Sequence, residues 1–263
     1  MGGIKIKDLK FTYNNKDFIF KGLNFTLRKG KNLSIIGTSA CGKTTLLKIL
    51  NNELSYEGFV SVDDIEITQE SFSKLTKKIA VVFRNTSFIN EIVKDELRFS
   101  LENMNLSPIE INESIKELNE FFGINKILNK AIDSLSKNDK ILIKILSYAL
   151  IEPVYLALDD LLCELDYRTK ILLINYLNYK NILLINVTTK MDDVLYTDYV
   201  LCLYDGISAI DGKTLDVLEN EKLLKRLGLS LPFFVDLSIQ LKLYGLINKV
   251  YLNKEAMVKN LWK

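Results

Sequence analysis

An α/β fold built on a parallel sheet is what this sequence predicts. Three observations carry that expectation. Short apolar strands alternate with helical patterns along most of the chain, the ordering that parallel sheets produce. The run Gly37-Thr38-Ser39-Ala40-Cys41-Gly42-Lys43-Thr44-Thr45 fits G-x-x-x-x-G-K-[ST] and lies between an apolar strand and a helix. A later apolar run, Val154 to Leu158, ends in Asp159 and Asp160.

The elements follow in order. Ile4, Ile6, Phe11 and Tyr13 alternate with polar residues, as in a half-buried strand, and Phe18 to Leu27 repeats the pattern. Lys29-Gly30 forms a turn after it, so the two runs are expected to pair antiparallel. Leu33 to Ile36 is a short buried strand and Thr44 to Leu50 a helix. Gly58 to Val62 and Ile79 to Phe83 are further strands. Ser107-Pro108 opens a helix, with serine as cap, proline in the first turn and Glu110 three residues on. Ser136 to Leu150 is a helix, Val154 to Leu158 a strand, Arg168 to Leu177 a helix and Ile182 to Val187 a strand. Asp205-Gly206 is a hairpin turn between Tyr199–Tyr204 and Ile207–Ile210. The tail from about Asp216 is helical, broken at Gly228 and at Leu231-Pro232. The one domain boundary expected is near residue 215.

Composition narrows the function. Of 263 residues 48% are apolar and 26% charged, enough to build a large core. With a net charge of only +2, the chain does not resemble a dedicated nucleic-acid binder, which would usually concentrate basic charge on one face. There is no histidine, and Cys41, Cys163 and Cys202 show no paired spacing, so neither a zinc site nor an imidazole base is expected. Unpaired thiols suit a reducing compartment. The N-terminal run lacks an apolar signal core, and no stretch reaches the ~18–20 uncharged apolar residues of a membrane span.

The glycine-containing loop can wrap phosphate oxygens with its backbone N–H groups, and the following helix adds positive potential. Lys43 is expected to reach the β- and γ-phosphates of ATP, and Thr44 to hold Mg²⁺. Ala40 stands where many such loops carry glycine. Cys41 is expected beside the phosphates. The plain alternative is a strand-to-helix turn with no ligand. In the acidic strand end, Asp159 is expected to coordinate Mg²⁺ directly or through water, with Asp160 facing the attacking water. A solvated acidic turn is the alternative there.

With these motifs in place, the sequence resembles the ATP-binding cassette family over most of its length. The resemblance implies a P-loop core of parallel strands and helices over residues 1–215, with an antiparallel β subdomain and a helical subdomain at about 86–150. It implies an adenine-stacking role for Tyr13. Ile79 to Asn85 is similar to the Q-loop segment, Leu135 to Asp139 to the signature, Cys163-Glu164-Leu165-Asp166 to the D-loop and Val187 to Lys190 to the switch. The tail Leu227 to Leu237, within a small helical extension over 216–263, is similar to the extension of energy-coupling factor ATPases, which power uptake of vitamins and metal ions.

Several positions depart from the family pattern. Arg84 replaces the Q-loop glutamine, Asp160 the catalytic glutamate and Thr189 the switch histidine, while Lys137 and Asn138 replace both signature glycines after Ser136. Asp160 is one methylene short for its task, and general-base help is worth roughly 10²–10⁴-fold. Thr189 offers a hydrogen bond to the γ-phosphate. Lys137 either offers its charge to phosphate or is simply exposed. Arg84 pairs with phosphate, with Asp160 or with a transporter loop, or is a solvated surface residue. The resemblance therefore implies a weakly catalytic subunit in a heterodimer with a second ATPase, on the cytoplasmic face of the membrane. A transmembrane coupling protein and a substrate-binding membrane subunit would be its partners. A non-hydrolysing regulatory subunit is the alternative. A soluble cassette acting on DNA or ribosomes would call for a long coiled coil or a second cassette, and the chain has neither.

Overall fold

The computed structural model describes residues 2–261. Alternation builds the first sheet. Strand β1 (Gly3–Thr12) pairs antiparallel with β2 (Phe18–Arg28), setting Ile6 opposite Phe25 and Phe11 opposite Phe20. Ile4 and Ile6 turn inward and Lys5 and Lys7 outward with a period of two, and an irregularity between Ile6 and Leu9, with Asp8 at φ 46, shifts the phase so that Leu9 and Phe11 are buried in turn. The other edge of β1 takes β4 (Glu57–Val62), which pairs with the short β5 (Ile65–Glu66).

The second sheet has six strands. In chain order they are β3 (Leu33–Ile36), β6 (Ile79–Val82), β7 (Tyr155–Asp159), β8 (Leu183–Val187), β9 (Tyr199–Tyr204) and β10 (Ile207–Lys213). In space the order is β10-β9-β3-β8-β7-β6, parallel throughout except for the β9–β10 hairpin. That hairpin turns at Asp205 and Gly206, both at positive φ, as a tight two-residue turn demands. Its second strand runs on to Lys213, past the expected Ile210, because edge pairing with Tyr199 continues.

Both faces of this sheet are covered, so its strands read as continuous apolar runs rather than alternating ones. Tyr155 and Ala157 of β7 join the core shared with helix α1 (Lys43–Leu50) and the antiparallel sheet. Leu156 and Leu158, facing the other way, join the core of the helical side. That side holds α3 (Val93–Glu102), α4 (Pro108–Phe122), α5 (Lys137–Ala149) and α6 (Tyr167–Tyr179), and a four-residue helix α2 (Phe72–Leu75) precedes β6. Helix α3 was not expected from the sequence; Glu96 on it is buried and accepts from the amides of Ile89 and Asn90 at 3.0 and 2.8 Å. The sequence alone shows only a charged residue there.

Helix starts follow their caps. Ser107 accepts from the Glu110 amide at 3.4 Å while Glu110 accepts from the Ser107 amide at 2.7 Å, completing the reciprocal cap. Ser136 caps α5 through the Asp139 amide, and Asp166 caps α6 through the Thr169 amide.

The tail forms α7 (Thr214–Leu218), α8 (Glu221–Arg226), α9 (Phe233–Leu243) and α10 (Lys254–Leu261). The break between α8 and α9 contains Gly228 at φ +73, and Pro232 immediately precedes α9 without a side-chain cap. Val217, Leu218 and Leu224 pack with Ile36, Val200 and Cys202, so the segment beyond residue 215 rests on the parallel sheet. Phe234, Leu237 and Leu241 instead pack with Ile247, Tyr251 and Met257 inside the tail itself. Among the described residues no helix is long and apolar enough to cross a membrane.

One buried ion pair ties α6 to the loop after β8. Lys170 pairs with Asp193, and their side chains are only 7% and 2% exposed. Lys170→Met should strand that carboxylate and cost about 3–5 kcal/mol. Urea unfolding measures the loss, and one below roughly 1 kcal/mol, the scale of a surface pair, would contradict the buried assignment.

Candidate functional site

The loop after β3 turns left-handed more than once. Gly37 has φ +148, and a Cβ there would lie 2.5 Å from the Leu203 carbonyl oxygen. At Gly42, with φ +99, a Cβ would meet the Ile19 side chain at 2.8 Å and the Phe20 ring at 3.1 Å. Only glycine fits at both places. Ala40 adopts φ +63 despite its methyl, a conformation that costs a non-glycine residue roughly 1–2 kcal/mol. This strain sits in the loop and not in the strand or helix that flank it, the usual place for it at a functional site.

These turns bring the loop over the start of α1, whose first-turn amides have no partner within the helix. Lys43 is buried, and its Nζ donates to the carbonyls of Gly37 and Thr38, each at 2.8 Å. The ammonium therefore lies at the centre of the loop, held by acceptors that phosphate oxygens can replace. Cys41 is half-buried, with Sγ 3.7 Å from the same ammonium.

Across the cleft, β7 delivers its acidic end. The Thr44 hydroxyl donates to Asp159 at 3.0 and 3.2 Å, joining two residues 115 positions apart. Burial raises the Asp159 pKa; the Thr44 hydrogen bond opposes this, the Asp160 charge adds to it, and Lys43 and Arg84 pull it back down. A hydroxyl and a carboxylate touching each other beside a phosphate loop are the oxygen donors Mg²⁺ takes in such sites. The residues present thus fit MgATP. Among the described residues no group of three or more His, Cys, Asp or Glu side chains that could hold a metal ion exists.

Asp160 sits in the left-handed region at φ 53. Its amide donates to the Val187 carbonyl at 3.0 Å, and its carboxylate accepts from the Thr189 amide at 3.1 Å. Adjacency of β7 and β8 makes this possible, since Asp159 lies opposite Val187. Asp160 and Thr189 bound a cleft of about 390 Å³ with Ser39, Ala40, Gly42, Lys43, Thr44 and Thr45. Ile19 of β2 also lines it, a contribution from the antiparallel sheet that no motif signals. Tyr13 stands 59% exposed, its ring edge against Phe11 and its hydroxyl 3.3 Å from the Thr45 hydroxyl.

Three other expected residues do not line this cleft. Ser136 is the cap of α5. Arg84 meets Glu164 at 2.8 Å rather than Asp160, and Lys137 meets the same carboxylate at 2.7 Å. Asn138 accepts from the Asp166 amide at 2.9 Å and donates to the Thr169 hydroxyl at 3.0 Å. Both side chains that replace signature glycines are thus engaged by the chain's own turn at 164–169. Glu164 is the meeting point of these two cations, which come to it from separate elements, and no local pattern in the sequence signals that role.

A larger cavity, about 550 Å³, lies between α3 and α5. Phe88, Ile89, Phe99, Met104, Tyr148 and Ile151 give it an apolar lining, and Lys144 sits over the Phe88 ring at 5.5 Å.

Comparison with known proteins adds three findings. The ABC transporter family model matches residues 20–162. An energy-coupling factor transporter ATP-binding protein of Mycoplasmopsis pulmonis is 31% identical, over 91% of this chain and 93% of that protein. One from Mesomycoplasma hyopneumoniae (strain 7448) is 28% identical over 99% and 97%, and a cobalt import ATP-binding protein of Syntrophus aciditrophicus is 29% identical over 92% and 89%. Among solved structures, cbiO1 from Clostridium perfringens, part of the ABC transporter complex cbiONQ, superposes with a TM-score of 0.75. It covers 86% of this chain and 94% of that one at 24% identity, which establishes the shared fold.

The position of Cys41 makes the cleft chemically testable. A thiol alkylator should label Cys41 and block nucleotide binding, and excess MgATP should slow that labelling by about tenfold or more at saturating concentration. Peptide mapping after timed alkylation measures this. Equal labelling with and without MgATP would remove Cys41 from the phosphate seat.

Proposed function

We propose that this chain, which belongs to the ABC transporter family, is the ATP-binding subunit of an energy-coupling factor importer for a vitamin or a metal ion. One observation carries the nucleotide half of this reading. Thr44 and Asp159, from distant parts of the chain, meet at 3.0 Å, and the neighbouring Lys43 carries its ammonium into the same loop, against the Gly37 and Thr38 carbonyls. The importer half rests on similarity to the energy-coupling factor relatives that runs nearly end to end, tail included.

In this reading Lys43 trades the Gly37 and Thr38 carbonyls for β- and γ-phosphate oxygens, and the first-turn amides of α1 donate to the same phosphates. Thr44 and Asp159 hold Mg²⁺, which, when bound, neutralises charge on the phosphates being separated. Tyr13 offers its exposed ring face to adenine. Asp160 accepts a proton from the attacking water, its carboxylate oriented by the Thr189 amide. The chain acts on the cytoplasmic face of the membrane. A helix of the transmembrane coupling protein fills the groove between α3 and α5, with a substrate-binding membrane subunit completing the assembly.

The altered positions support reading this chain as the weak half of a heterodimer. Lys137 and Asn138 spend their polar groups within their own chain, so they add little to a nucleotide held by a second ATPase subunit. The same observation favours a second reading, in which the chain binds nucleotide without hydrolysing it and serves assembly or regulation. Single-turnover hydrolysis by the complex, with the partner's catalytic base disabled, separates the two.

Lys43→Ala should weaken MgATP binding by about 100-fold, the scale of losing a buried charge-assisted contact. Calorimetric titration tests it, and unchanged affinity sinks the nucleotide reading. The chain by itself should hydrolyse ATP at least roughly 100-fold more slowly than its complex with an intact ATPase, a mid-range general-base loss. Co-purification with membrane subunits tests the importer assignment, and robust activity of the isolated chain would remove the heterodimer.

A further inference from the structure

At one edge of the parallel sheet, three charges remain that the phosphate chemistry above does not use. Strands β6 and β7 run side by side, with Val82 opposite Leu158. Parallel neighbours lie about 4.8 Å apart. The chain therefore reaches Arg84, two residues beyond β6, at the sheet edge where β7 delivers Asp159 and Asp160. Lys144 holds this turn by donating to the Arg84 carbonyl at 3.1 Å.

The Arg84 guanidinium meets one oxygen of Glu164 at 2.8 Å, and the Lys137 ammonium meets the other at 2.7 Å. The Glu164 side chain is 12% exposed, against 62% for Arg84 and 74% for Lys137. A sunken carboxylate thus draws two cations down from the surface, one from the loop after β6 and one from the first residue of α5. The Arg84 contact is close but poorly aligned: that oxygen of Glu164 is buried and accepts no well-formed hydrogen bond. Charge holds Arg84 there, not directional bonding.

Two cations are one more than this carboxylate needs. Removing the sole partner of a buried charge is strongly penalised. With Lys137 in place, Arg84 can leave without stranding Glu164. A guanidinium that leaves finds a better-matched partner in a phosphate, whose oxygens accept its forked donors in pairs.

We propose that Arg84 is a parked nucleotide-binding residue: Glu164 holds its guanidinium beside the cleft of the free chain, and it transfers to the terminal phosphate of MgATP while Lys137 keeps Glu164 paired. This rests on the MgATP reading above and deepens it. Glu164 is then a positioning residue, since it acts through Arg84. The arrangement would distinguish triphosphate from diphosphate, because the guanidinium is assigned to the terminal phosphate that only the triphosphate carries.

The test titrates the full chain with MgATP and with MgADP. Arg84→Gln should weaken MgATP about tenfold, the scale of a hydrogen bond to a charged group, and MgADP less than about twofold. Glu164→Gln should tighten MgATP several-fold, and that gain should vanish in the Arg84→Gln/Glu164→Gln double variant. Arg84→Lys keeps the charge without the fork and should fall between. Thermal melting without nucleotide identifies a variant that does not fold, in which case Arg84→Lys carries the comparison. An unchanged MgATP affinity in Arg84→Gln, an equal loss for both nucleotides, or a Glu164→Gln gain that persists without Arg84 overturns the transfer. Lys43→Ala separates the levels: if it binds MgATP at full strength the nucleotide reading falls as well, whereas a weakened Lys43→Ala beside an unaffected Arg84→Gln removes the transfer alone.

Discussion

The cleft depends on a steric condition before any charge enters. The loop between β3 and α1 must fold tightly enough to leave backbone amides facing inward, and at Gly37 and Gly42 a single methyl would collide with the Leu203 carbonyl or with the Phe20 ring. Once the turns are made, Lys43 has nowhere to go but the centre of the loop, where two carbonyls at 2.8 Å hold it. A buried ammonium needs such acceptors, and those same carbonyls are weaker partners than a phosphate. The sheet order supplies the rest. With β3 and β7 both flanking β8, the phosphate loop and the acidic strand end emerge at one edge, so Thr44 and Asp159 meet across 115 residues of sequence.

The departures from the family pattern compensate for one another locally. Arg84 and Lys137 would add two positive charges near the cleft, and Glu164 draws them both in. Asn138, too bulky for a position that usually carries bare backbone, caps and braces the turn leading into α6. Asp160, shorter than a glutamate, is held by the Thr189 amide, a backbone group that does not depend on the missing histidine. Lys137 thereby ties the start of α5 to the turn after β7.

Strand and helix periodicities in the sequence predicted the parallel sheet, the phosphate loop, the Ser107 cap and the tail break at Gly228, because each is written in neighbouring residues: a period of two, a glycine at a forced turn, a serine before a proline. Lys43, Thr44, Asp159 and Asp160 were legible as a candidate site for the same reason, since their motifs are contiguous. Helix α3 was not legible, because its start has no side-chain cap and its key polar residue, Glu96, is buried by contacts with the loop before it. Nor were Ile19 and Glu164, whose roles exist only where separate elements converge. For Arg84 the residue type left several partners open, and strand register together with a carboxylate 80 positions further along the chain selected one. Local sterics and periodicity are properties of a short stretch of chain and can be read from it; which charges neutralise which is a property of distances between elements, and those distances come into being only when the sheet closes.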